Sequence, residues 1–183
     1  MLNSYPRHHQ ITVTLHWATF FAIFSALSAV LLRELVEQDD LRLLLLTIHR
    51  SLGICILVLV IARVLLRYFY YFSDVTSDLP KTLRRIANAA HITIYTFLFL
   101  VPITGWLFTS TAGKPLTFFG LFHIPALLQK NRETAETFGE IHEVMAWLFI
   151  FILTTHIAAA LWHHYVRKDN VLRSILPRWL TKK

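Results

Sequence analysis

The sequence predicts an all-α integral membrane protein, a bundle of four transmembrane helices. Three observations carry that expectation. Of the 183 residues, 55% are apolar and only five are glycine. With a mean hydropathy of +0.51, this composition belongs to membrane chains or to unusually apolar helical ones. Four apolar stretches, near 11–32, 43–66, 86–109 and 141–166, each exceed the roughly 20 residues that cross a bilayer core. The charge is also unevenly divided between the two ends of those stretches. The segments joining the spans leave no room for a second domain, so residues 1–183 read as a single membrane domain.

The first span, 11–32, carries small residues near its end ("SALSA"). Its apolar run is too long for a secretory leader and no soluble domain follows, so it reads as a retained helix. A charged turn, "RELVEQDDLR", leads to the second span. The next connection, "YFYYFSDVTSDLPKTLRR", joins an aromatic edge at Tyr70, Tyr71 and Phe72 to a basic helix start. Aromatic side chains favour such interfaces. The third span contains Pro102 and Gly105, both tolerated in membrane helices and both able to kink one. After it, "LTFFGLF" is too short to span and apolar enough to lie on the membrane, and a short polar helix then feeds the fourth span. The tail "RKDNVLRSILPRWLTKK" is basic with apolar anchors, suited to an anionic lipid surface.

The net charge of +7 is a matter of topology rather than a nucleic-acid footprint. One side of the bundle holds the N-terminus, the 67–85 connection and the tail. With Arg63 near the inner end of span two it collects twelve basic residues against Asp74, Asp78 and Asp169, and the opposite side holds six against eight acids. The excess of Lys and Arg puts both termini in the cytoplasm. The single cysteine, Cys55, excludes an intrachain disulfide, and no C-x-x-C-H run is present for covalent haem attachment.

Histidines set this bundle apart. Ionisable groups inside a membrane are costly and usually functional, yet the fourth span alone carries His142, His156, His163 and His164. His142 and His156 are separated by fourteen residues, about 21 Å along a helix and only about 40° apart around it. One face therefore presents imidazoles at two depths. At the external depth the available partner is His49 from span two, and at the internal depth it is His16 from span one. Two cross-helix histidine pairs are what two b-type haems with axial imidazoles require. Gly53 below His49 and Ala158–Ala160 after His156 offer room for a ring, although small residues also suit plain helix packing. A single membrane histidine is equally well explained as interhelical hydrogen-bond glue. A non-haem metal site or a proton relay would recruit carboxylates, and acids occur only at the external end of the fourth span, at Glu140 and Glu143.

These segments resemble the bacterial cytochrome b561 family, membrane di-haem proteins of four helices. The resemblance covers nearly the whole chain. It rests on "LHW" with His16, "IHRSLGI" with His49, "AAHITIY" with His91, "GKPLTFFG", "EIHEVMAW" with His142, and "HIAAALWHHYVRKDNVLRSILPR" with His156. It implies that His16, His49, His142 and His156 ligate haem iron, and that electrons pass between a small donor and the quinone pool. In at least one branch it implies oxidation of superoxide at the external side and reduction of ubiquinone. An external anion needs local positive charge. Lys114 is the candidate for steering it, and Arg50, beside His49, the candidate for a haem propionate. His91 and His163, left over on the inner side, are candidates to hydrogen-bond a quinone. The alternative is a haem-bearing anchor that relays electrons between a dehydrogenase or hydrogenase partner and quinone. The short external segments favour the enzyme, which needs no protein electron donor.

Overall fold

The computed structural model describes residues 9–69 and 80–177. The aromatic edge at Tyr70, Tyr71 and Phe72, the acids Asp74 and Asp78, and the basic residues Arg7, Arg178, Lys182 and Lys183 lie outside them. The chain is all-helical in its long elements: α1 (Gln10–Leu35), α2 (Asp39–Phe69), α3 (Lys81–Thr111) and α4 (Arg132–Trp162), followed by a short α5 (Val171–Ile175). All four long helices are apolar enough and long enough to cross a membrane.

Local chemistry sets the ends of these helices. Val36 turns extended after α1, and α2 opens with Asp39 and Asp40 in its first turn, where acids complement the helix dipole. Pro80, with its fixed φ, precedes the first turn of α3. Gly113, at φ +66, ends α3. Its N–H donates to the Ser110 carbonyl and the Lys114 N–H to the Thr109 carbonyl, the paired bonds of a Schellman cap. Asn131 caps α4 by accepting from the Thr134 N–H.

α1 packs mainly on α2, α3 mainly on α4, and α2 meets α3 between them. The shared core joins Ala26 of α1, Ile56 and Val60 of α2, Ile94 and Leu98 of α3, and Phe149 of α4. Phe21, Phe24, Val144 and Phe151 point outward, as suits lipid. Thr19, Ser51, Thr104, Thr109, Ser110 and Thr111 are buried, the small polar side chains that let membrane helices approach closely.

Two features differ from the sequence expectation. The "LTFFGLF" segment folds into a hairpin, β1 (Leu116–Phe118) against β2 (Phe122–Ile124). Phe119 and Gly120 both have positive φ, and the Leu121 N–H donates to the Phe118 carbonyl, a type I′ turn. The polar stretch after it is no separate helix but the first turns of α4. At the other end, α4 runs into a π turn over His163–Arg167, closed by Lys168 at φ +56.

Candidate functional site

Two histidine pairs lie in the bundle, each facing across two helices. In the pair that the sequence expects at the external depth, His49 of α2 meets His142 of α4 with ring centroids 6.2 Å apart and planes at 80°. Each ring is anchored through Nδ1. His49 Nδ1 donates to the Ala26 carbonyl of α1 at 2.9 Å. His142 Nδ1 donates to the Val101 carbonyl of α3 at 3.0 Å, with the Thr104 hydroxyl 3.3 Å away. A carbonyl only accepts, so both Nδ1 atoms carry the proton and both Nε2 atoms keep a free lone pair. That is the tautomer a metal takes, fixed by the hydrogen bond on the far side of the ring.

The spacing also fits one iron. Imidazole–metal bonds of about 2 Å put the two bound nitrogens about 4 Å apart. Roughly 1 Å more from nitrogen to ring centre on each side gives centroids about 6 Å apart. Space is available too. A Cβ on Gly53 would have nothing within 4 Å, whereas one on Gly105 would sit 2.9 Å from His142 Cε1. Gly53 thus leaves a gap below His49, and Gly105 makes way for the His142 ring.

In the inner pair, His156 of α4 lies against His91 of α3, with centroids 5.6 Å apart and planes at 73°. The sequence expectation joined His156 to His16, which stands edge-on to its neighbour Trp17 on α1. The Trp17 Nε1–H in turn donates to the Ile175 carbonyl, tying α1 to α5. Among the described residues no three His, Cys, Asp or Glu side chains converge on a metal position. The histidines come in twos, a donor set for an axial pair rather than for a tetrahedral ion.

Beside the His49–His142 pair, Arg50 points to the segment joining α3 to α4, its guanidinium 3.5 Å from the Pro115 carbonyl. Lys114 stands beside Pro115 at the rim of an open cleft of about 550 Å³, lined also by Ser110, Gln129 and Lys130. At the C-terminal end of α4, His163 Nδ1 bonds Asp169 Oδ2 at 2.5 Å, and Arg167 Nε lies 3.4 Å from the same carboxylate.

Several participants escape a reading of side-chain types. Ala26 and Val101 act through backbone carbonyls, which every residue has. Gly105 looks like an ordinary helix-kinking glycine until the ring beside it is placed. Ser51, fully buried, shares its one hydroxyl proton between the Thr47 and Thr117 carbonyls and accepts from the Phe119 N–H, clamping the hairpin to α2. Asp169 is the exception: the conspicuous "HHYVRKD" run already held both it and His163.

The chain is similar over nearly its full length to known proteins. It is 28% identical over 173 residues to cytochrome b561 homolog 1 of Escherichia coli (strain K12), covering 94% of this chain and 98% of that one. It is 29% identical over 178 residues to cytochrome b561 homolog 2 of the same organism, covering 95% and 93%. It is also 29% identical over 174 residues to the probable superoxide oxidase CybB of Yersinia pestis, covering 95% and 98%. Residues 7–178 match the family described as prokaryotic cytochrome b561. The chain belongs to the prokaryotic cytochrome b561 family, multi-pass membrane proteins for which b-type haem is the implied cofactor.

Proposed function

We propose that the protein is a di-haem oxidoreductase of the bacterial inner membrane that oxidises superoxide at its external face and reduces ubiquinone at its inner face. The observation that carries this reading is the outer histidine pair, two rings at axial-ligand spacing with Nδ1 tied to carbonyls. Similarity to a probable superoxide oxidase supports the choice of donor. The whole chain acts as one membrane domain. Its basic excess on one side orients both termini to the cytoplasm.

His49 and His142 hold one haem b. His156 holds the other, with His16 as its second ligand. The contact between His91 and His156 favours His91 as a rival for that position. Haem counts in His16→Ala and His91→Ala decide between them. Bound at two depths, the haems supply one-electron carriers between the two faces.

The chain's own residues do the rest. Lys114 and Lys130, on the external cleft, raise the local concentration of a small anion, and Arg50 extends that positive field to His49. Overall, two superoxide anions and two protons convert one ubiquinone to ubiquinol and release two molecules of oxygen. His163, oriented by Asp169, is placed to hydrogen-bond the quinone and pass it a proton from the inner side.

The test is optical. Purified protein receives a pulse of superoxide, and the haem α-band is followed with and without ubiquinone, against a dithionite endpoint. Rapid reduction, with reoxidation only when quinone is present, is expected. A dithionite-reducible band that ignores superoxide would move the reading to a haem-bearing anchor for a protein donor. The absence of an α-band in dithionite would end the haem reading altogether.

A further inference from the structure

Arg63 is the charge in this bundle that the histidine pairs do not explain. It follows His49 on α2 by fourteen residues, the spacing that separates His142 from His156 on α4. α2 and α4 both run from the external to the inner side, so the same step takes both helices down by about 21 Å with a turn of about 40°. Arg63 is therefore level with His156, on the stripe that carries His49 above it.

The Arg63 side chain is half-buried. Its guanidinium lies over the Tyr95 ring of α3, 5.1 Å from the centroid, and within electrostatic range of both His91 and His156. Arg67, one turn further along, is exposed and free to reach the surface. The ion pairs among the described residues join Arg33 to Glu34, Arg132 to Glu136, and His163 and Arg167 to Asp169. None engages Arg63. A guanidinium turned into a membrane bundle without a carboxylate is costly. A cation–π contact of about 0.5–2 kcal/mol offsets only part of that. The arrangement calls for an anion at the level of the inner pair, and guanidinium favours a carboxylate that it can grip with two parallel bonds.

We propose that Arg63 is the carboxylate-binding residue of the inner site, taking a propionate of the haem held by His156 and setting how readily that haem is reduced. The proposal rests on the two-haem reading above. A fixed positive charge favours the reduced iron, which carries one positive charge fewer than the oxidised form.

Wild type, Arg63→Gln and Arg63→Lys are compared by haem-to-protein ratio, by potentiometric titration of the α-band, and by redox infrared difference spectra with haem carrying ¹³C in its propionate carboxyls. The inner component is the one missing from His156→Ala. In Arg63→Gln, its reduced-to-oxidised ratio at fixed potential should fall about tenfold, a downward shift of 59 mV for one electron. The outer component should stay put, and the labelled carboxylate bands should move. Arg63→Lys should keep both haems, with a smaller potential shift and displaced carboxylate bands. If Arg63→Gln leaves potentials and bands as in wild type, the proposal is overturned while the two-haem reading stands. If Arg63→Gln does not accumulate, unchanged bands in Arg63→Lys overturn it in the same way. A wild type without haem would sink the two-haem reading itself.

Discussion

At the scale of single residues, the outer site is built by what lies behind the imidazoles. Ala26 and Val101 hold the rings by their carbonyls, and Gly105 clears the volume that the His142 ring fills. Gly105→Ala puts a methyl group 2.9 Å from His142 Cε1, and overpacking of that kind costs about 1–3 kcal/mol. The expected outcome is a purified protein holding close to one haem instead of two, with the component retained in His142→Ala unaffected. A full complement of two haems with unchanged spectra would show that the ring can yield without losing its place. The histidines themselves were legible in the sequence, because a costly side chain repeated fourteen residues apart marks one face of a helix. The ring that stands against His156 was less legible. Depth and face admit any histidine at that level, and His91 on α3 meets the condition as well as His16 on α1.

At the scale of elements, the β hairpin and the π turn each bring loop residues to a helix end. Ser51 makes three hydrogen bonds, two of them to the hairpin, and its bond to the Phe119 N–H holds a non-glycine residue at positive φ. Ser51→Ala removes the acceptor of that part-buried N–H, at about 1 kcal/mol. Hydrogen exchange at Phe119–Leu121 should quicken at least about fivefold, in line with a loss of 1 kcal/mol or more, while the α2 amides near Ile56 stay protected. The hairpin was hidden from the sequence because its turn lacks the Asn-Gly or Asp-Gly signature, and what supports Phe-Gly in the turn is the Ser51 contact from α2. At the inner end, the π turn and the left-handed Lys168 fold the chain back so that Asp169 reaches His163. Asp169→Asn keeps the size and removes the charge. Reoxidation by ubiquinone is expected to slow at least about tenfold, at the low end of what a placed acid or base contributes, with reduction by superoxide unchanged. Equal slowing of both half-reactions would count against a proton role for this pair.

At the scale of the whole molecule, composition and hydropathy were enough to find the four helices. A membrane imposes its own length on an apolar run, and the helices satisfy their backbone groups internally. The proposed orientation rests on the division of Lys and Arg. An alkaline-phosphatase fusion at the C-terminus is expected to be inactive and a fluorescent-protein fusion there bright; the reverse pattern would invert the proposed topology and put the His49–His142 pair on the cytoplasmic side. What sequence could not supply is the order in which the helices pair. That order depends on complementary faces, and lipid-facing and partner-facing positions are equally apolar here.

The pairing order bears on how the protein comes into being. α1 with α2 and α3 with α4 form two helical hairpins, each able to enter the bilayer as it leaves the translocation machinery. The outer histidine pair takes one ring from each hairpin. So does the inner one, if His16 is its second ligand. A haem gripped across that seam fastens two separately inserted halves, so its supply becomes a checkpoint of biogenesis. In cells starved of haem, the halves would lie in the membrane loosely associated and open to quality-control proteases, and abundance of the protein would follow porphyrin supply.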